Sequence, residues 1–214
     1  MAARSLAFFF LLAGTTAALA GPLSPELQPP TVGVMLKFDR KPAHAFLKHL
    51  QAEVGAIFQP AGLDLRWEIL GDKKTPGTYN RVVVVEMHGR CEPVEAAVTP
   101  SGSDRLGWTN LSDGEVLPYA ALDCDQIARV VASARGPLLK RQLWPTLYVR
   151  LASRVLAHEL LHALLQTSDH HETDCARSTV RSADLGYRPQ LDPTEIAALR
   201  QIGRVSRVTI ARKD

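Results

Sequence analysis

A chain of 214 residues with 25 Lys and Arg against 22 Asp and Glu carries a formal net charge of +3, close to balance and without a basic block. Aromatic residues make up 6%, too few to interleave with cations along a nucleic-acid strand, so no nucleic-acid partner is expected. The length suits one compact domain.

The first residues read as an export signal. Arg4 supplies a positive start, Leu6 to Leu12 an apolar core, and Ala18-Leu19-Ala20 a small-x-small cleavage site before Gly21. The apolar run from Leu6 to Ala20 is short for a bilayer span, and glycine rather than cysteine at position 21 argues against a lipid anchor. No later stretch is long and apolar enough to cross a membrane. The expected product, with its charge reduced to about +2 by loss of Arg4, is a secreted or periplasmic protein without stable membrane insertion. Residues 1–20 form the signal, 21–30 a proline-rich irregular lead-in, and 31–214 the domain.

Thr31 to Phe38 is mostly apolar and predicts an interior strand. Pro42 can open a helix whose stripe of Leu47, Leu50, Val54 and Phe58 ends before Pro60; His44 and His49 ride on it as surface residues. Leu63 to Leu70 alternates Leu63, Leu65, Trp67 and Ile69 with polar neighbours, a half-buried strand. Gly71 to Asn80 reads as a loop, and the four valines within Arg81 to Met87 as a central strand. Cys91 to Arg105 is irregular. Leu106 to Asn110 and Val116 to Leu122 predict two short strands around the Ser112-Asp113-Gly114 turn. Asp125 to Ala134 reads as a short helix.

Pro145 can open a long helix that continues to about Gln166. Its apolar residues fall on nearly every side, which places it in the interior, between the sheet and the C-terminal segment. A loop follows through Arg188. Asp192-Pro193-Thr194-Glu195 is a helix start with an N-cap, a first-turn proline and a capping-box glutamate; Ile196, Leu199 and Ile202 continue it, and Gly203 can end it. Arg204, Arg207, Arg212 and Lys213 make a mildly basic surface strand or tail. Together these elements predict an α+β fold with a twisted mixed sheet packed on a buried helix and a C-terminal helix.

Three cysteines in an oxidising compartment predict one disulfide and one remaining thiol. Cys91 and Cys124, which flank a single segment, are the expected pair. Cys175 is then either a buried free thiol or a metal ligand.

Inside the long helix lies His158-Glu159-Leu160-Leu161-His162. Positions i and i+4 of a helix lie one above the other, so His158 and His162 can grip one zinc ion with Glu159 beside the remaining position. A buried helix carrying these residues by chance is the competing reading, and glutamate is seldom buried without a partner. A catalytic zinc takes three protein ligands; His170 and His171, past the polar turn after Gln166, are both in reach. Asp169, Glu172 and Asp174 read as solvated loop carboxylates.

The motif resembles that of the metzincin branch of the zincin metallopeptidases, HExxHxxGxxH, with Leu165 in place of its glycine and Ser168 in place of its third histidine. His170 comes two residues later, so the connecting turn must be longer. Metzincins also carry a methionine turn beneath the zinc, whereas no methionine follows Met87; Cys175 lies near where such a turn would begin. The chain is more similar to a group of small exported bacterial proteins in which a histidine follows HExxH after a gap like that between His162 and His170. Leu106 to Thr109, Ser112 to Gly114 and Val155 to Glu159 carry the same resemblance, which implies a metzincin-like zincin domain and His170 as third ligand. It also implies that an edge strand upstream of the metal helix pairs with an extended peptide. Leu106 to Asn110, or the strand after Asp113-Gly114, is the candidate.

The expected function is that of an exported zinc metallopeptidase acting on a peptide or protein substrate. Zinc (Zn2+) would lower the pKa of its bound water, and Glu159 would take the proton as that water attacks and deliver it to the departing amine. Tyr187 is weighed as an oxyanion partner against a structural role. A zinc-binding domain without catalysis has no need of Glu159 and would close with a fourth ligand. An amidase acting on non-peptide substrates would use the same motif.

Overall fold

The computed structural model describes residues 29–72, 77–92, 104–133, 141–171, 174–177, 179–180, 182–204 and 208–210. The export signal, most of the lead-in, Glu172, Arg207, Arg212 and Lys213 lie outside them.

β1 (Thr31–Phe38) is buried from Val32 to Leu36, as an unbroken apolar run dictates when both faces of a strand are covered. α1 (His44–Phe58) buries Phe46, Leu47, Leu50, Val54, Ile57 and Phe58, a single stripe at helical period, while His44 and His49 are exposed. A 3-10 turn at Gln59–Ala61 and Gly62 in the left-handed region return the chain to β2 (Asp64–Ile69), which pairs parallel with β1. β3 (Thr78–Tyr79) and β4 (Arg81–His88) follow, then the hairpin of β5 (Gly107–Ser112) and β6 (Glu115–Asp123).

The sheet order is β2-β1-β4-β6-β5. β1, β2, β4 and β6 run parallel and β5 is antiparallel at the edge. The valine-rich β4 is central, as its sequence predicts. Asp113 and Gly114 close the hairpin with φ of 51° and 81°, the conformation of a primed two-residue turn. The β5–β6 register slips between Thr109 and Leu111, across from the stretch containing Pro118, which has no N–H to give to the ladder.

α2 (Cys124–Ser133) follows β6 directly, and Cys124 is disulfide-bonded to Cys91 with Cα atoms 4.9 Å apart. α3 (Trp144–Leu165) is buried on nearly every side and packs on β5 and β6 and along α1, with the Phe46 and Tyr148 rings 5.6 Å apart. α4 (Pro193–Arg200) starts with the expected capping box. Asp192 Oδ1 accepts from the backbone of Glu195 at 2.8 Å, and Glu195 Oε2 accepts from the backbone of Asp192 at 2.7 Å.

α1, with 15 residues against 8 in α4, lies beside α3 in addition to the expected α4. The last helix passes into a 3-10 turn at Gln201–Arg204, so Gly203 lies inside that turn instead of ending α4. β7 (Val208–Thr209) pairs antiparallel with β3, a ribbon between what reads as a loop and what reads as a surface strand or tail; a two-residue strand shows no periodicity. Among the described residues no helix is long and apolar enough to cross a membrane. The architecture is a twisted mixed sheet packed against helices.

Candidate metal centre

His158 and His162 sit in the last two turns of α3, where the four-residue spacing stacks them on one face. His158 Nδ1 lies 2.9 Å from the Cys175 carbonyl and His162 Nδ1 lies 2.7 Å from the Thr167 carbonyl. A carbonyl oxygen only accepts, so both Nδ1 atoms carry the proton and both Nε2 atoms carry a lone pair. Those Nε2 atoms face each other at 3.0 Å.

Protonation does not relieve that contact near neutral pH. Burial, opposed by the Cys175 carbonyl, holds His158 down at about 4, and burial likewise lowers His162. Two lone pairs at this distance repel unless they share a cation. Nitrogens about 2.0–2.1 Å from a tetrahedral ion lie roughly 3.3 Å apart, so the donor pair fits a metal.

The chain beyond α3 brings the third imidazole. Gln166 ends the helix in the left-handed region, φ 53°, with its N–H on the His162 carbonyl. The turn that the resemblance assigns to a glycine at 165 is made here one residue later. Thr167 Oγ1 then accepts from the backbone of Asp169 at 3.1 Å, and His170 returns to the helix. Its ring centroid lies 5.2 Å from that of His158 and 4.8 Å from that of His162. One nitrogen from each of these histidines lies within 4.8 Å of the others, a group that could hold a metal ion. His171 is exposed and is not in that group.

Left-handed backbone strains a side chain with a Cβ. Gln166→Gly is therefore expected to stabilise the metal-free protein by about 0.5–1 kcal/mol, raising Tm by about 2 °C. A lower Tm in a thermal scan would refute that.

Cys175 is buried, and burial pushes its thiol up to about 12. The described ligand group does not include it. Its contribution is the backbone carbonyl beneath His158. Tyr187 does not line the cleft. Its hydroxyl lies 3.1 Å from Asp184 Oδ1 and 3.3 Å from Asp174 Oδ1, and its ring stacks on Arg154 at 5.1 Å, which is a structural role.

Glu159 is 5% exposed. Burial pushes its carboxyl up to about 7, against the Thr109 hydroxyl and the Arg105 charge that pull it down. Thr109 Oγ1 donates to Glu159 Oε2 at 2.7 Å, which leaves Oε1 for another partner. Thr109 reaches it because β5 runs against α3. A Cβ on Gly107 would lie 2.6 Å from Val155 Cγ1 and 3.1 Å from Glu159 Cγ, so glycine is what allows the strand this close. On the opposite face of the sheet Trp108 stacks on His88 with centroids 5.6 Å apart.

The raised carboxyl has a consequence for metal-free stability. Unfolded, Glu159 titrates near 4.5; folded, near 7. Between those values the folded state binds more protons, so stability present below pH 4.5 is lost as pH rises through 7. Relative to Glu159→Gln, metal-free wild type should lose about 3 kcal/mol across that window and nothing further above it. His158 titrates in both proteins and cancels. Parallel urea curves for the two proteins from pH 4.5 to 8 would contradict the assignment.

A cleft of about 600 Å³ opens over this centre. Its walls include Gly107, Thr109 and Leu111 from β5, Val155 from α3, and Val180 from the chain beyond the histidines. β5 is the last strand of the sheet, so among the described residues no strand pairs with its outer edge, whereas β6 lies between β4 and β5. The sequence singled out His158, Glu159, His162 and His170, and the structure brings them together. Thr109 was named only within a strand and a segment carrying the resemblance, and Arg154 not at all. The signal for Arg154 was a charged residue four positions before His158 within the apolar run from Leu151 to Ala157.

No protein-family model matches the sequence, and no curated protein matches it. Among solved structures the chain is similar to archaemetzincin from Methanopyrus kandleri, with a TM-score of 0.45 and 13% identity over 85% of this chain and 99% of that chain. That likeness is too distant to assign a family or an activity.

Proposed function

We propose that this chain is an exported zinc metallopeptidase, with His158, His162 and His170 as metal ligands and Glu159 as general base. The observation that carries the proposal is the convergence of these imidazoles, two of them with opposed lone pairs, beside a buried carboxyl in the wall of a cleft. A purely structural site has no use for an uncoordinated, buried glutamate. When bound, zinc supplies a Lewis acid that polarises a substrate carbonyl and acidifies water.

The remaining chemistry belongs to this chain. A Glu159 carboxylate oxygen takes a proton from the attacking water as its oxygen bonds to the carbonyl carbon. As the C–N bond breaks, the same carboxyl passes that proton to the amine nitrogen. Thr109 holds the other oxygen in place. The outer edge of β5 offers backbone N–H and C=O groups to an extended peptide, which gives affinity with little sequence choice. Export is supported by the signal pattern at residues 1–20 and by the Cys91–Cys124 disulfide.

Zinc content and hydrolysis of an unbiased peptide library by the purified mature chain test the proposal. One zinc per chain, with cleavage stopped by a chelator and restored by added zinc, is the expected outcome. A chain that takes up no zinc would sink it. Zinc without cleavage of any peptide would favour a binding domain.

A further inference from the structure

α3 presents Arg154, His158 and His162 at four-residue intervals on one face. Each donates to a carbonyl of the chain that follows the helix. Arg154 Nη1 reaches the Asp174 carbonyl at 3.2 Å, His158 Nδ1 the Cys175 carbonyl at 2.9 Å and His162 Nδ1 the Thr167 carbonyl at 2.7 Å. The carbonyls of Asp174 and Cys175 are consecutive, so what holds the first also aims the second.

Arg154 is 4% exposed, and a guanidinium so deeply buried is tolerated only with partners. Nη1 also meets Asp174 Oδ1 at 2.9 Å, and Nη2 points at the Asp184 carbonyl at 3.4 Å. Asp174 Oδ2 accepts from the backbone of Gln190 at 3.0 Å. Arg177 Nη2 completes the cluster, 3.2 Å from Asp184 Oδ1 and 3.6 Å from Asp174 Oδ1. Two guanidiniums thus balance two carboxylates beneath the imidazoles. The turn holding Cys175 belongs to neither a strand nor a helix, and this cluster ties it to α3.

We propose that Arg154 and Asp174 are positioning residues for His158. Their ion pair sets the Cys175 carbonyl that keeps the proton on Nδ1 and turns Nε2 towards the metal. The inference rests on the metal-site reading above. It extends the metal motif four residues upstream, to an arginine whose contact with the ion runs through the backbone of the returning chain.

The test compares Arg154→Met, Asp174→Asn and Arg154→Lys with wild type by two measurements. One is the zinc dissociation constant from competition with a chromogenic chelator. The other is the imidazole ¹⁵N spectrum of the metal-free proteins, which distinguishes the two neutral tautomers. Arg154→Met and Asp174→Asn should weaken zinc binding roughly 10–100-fold and leave His158 as a mixture of tautomers. His162, held by its own nearby Thr167 carbonyl, should keep the Nδ1–H form. Arg154→Lys retains one charge-assisted hydrogen bond and should fall between.

Wild-type zinc affinity with an unchanged His158 tautomer in Arg154→Met would overturn the proposal. So would loss of both histidine signatures together in every variant, Arg154→Lys included, because the pair would then hold the fold and not the ligand. Failure of wild type to bind zinc would refute the metal reading, while the tautomer comparison would still decide the positioning claim.

Discussion

Glu159→Gln is expected to bind zinc as wild type does and to lose about 10²–10⁴-fold in kcat, the usual contribution of a positioned general base. The separation of the two effects follows from geometry. Glu159 lies beside His158 in sequence, but its side chain turns towards β5, where Thr109 Oγ1 meets Oε2 at 2.7 Å. Its neighbours His158 and His162 face each other instead. Glutamine keeps the shape and the acceptor for Thr109 while losing the capacity to take a proton, so KM should change little. The measurement is kcat at saturating peptide beside zinc per chain for both proteins. A variant that cleaves within a few-fold of wild type would remove Glu159 from the mechanism, whatever its metal content.

His170→Ala and His171→Ala should differ sharply. Structural zinc binding of about 10–16 kcal/mol is spread over four ligand positions, so removing one ligand costs on the order of 3 kcal/mol, or roughly 10²-fold in affinity. His170→Ala should show that loss. His171→Ala should bind zinc like wild type, since His171 is exposed and outside the group formed with His158 and His162. Both side chains are on the surface, so the folded protein should have nearly the same Tm in the two metal-free variants. Zinc competition titrations read the difference directly. Equal affinity in the two variants would dissolve the three-histidine site.

Much of the fold was legible locally. β1 occupies the run expected for it, α1 carries the apolar stripe read from its period, and α4 opens on the capping box of Asp192 and Glu195. These features depend on neighbours within a few residues, which sequence displays. β3 and its pairing with β7 were not legible, because a two-residue strand has no alternation to detect and exists through pairing across the length of the chain. That α1 also lies along α3, beside the expected α4, was not legible for the same reason: which amphipathic helix joins a buried one is a matter of packing.

The candidate site divides along the same line. By itself the sequence determined that His158 and His162 share one helix face with Glu159 beside them, because 3.6 residues per turn leaves no other arrangement. Tertiary structure decided what surrounds that face. It brought His170 and not His171 to the imidazoles, put β5 and not β6 at the sheet edge, seated Thr109 on Glu159 through the gap left by Gly107, and set Arg154 and Asp174 beneath His158. Those contacts join residues 17 to 50 positions apart or lie past a turn whose length no local rule sets. They exist because burying α3 against the sheet forces each polar group on it to find a partner on whatever chain passes by.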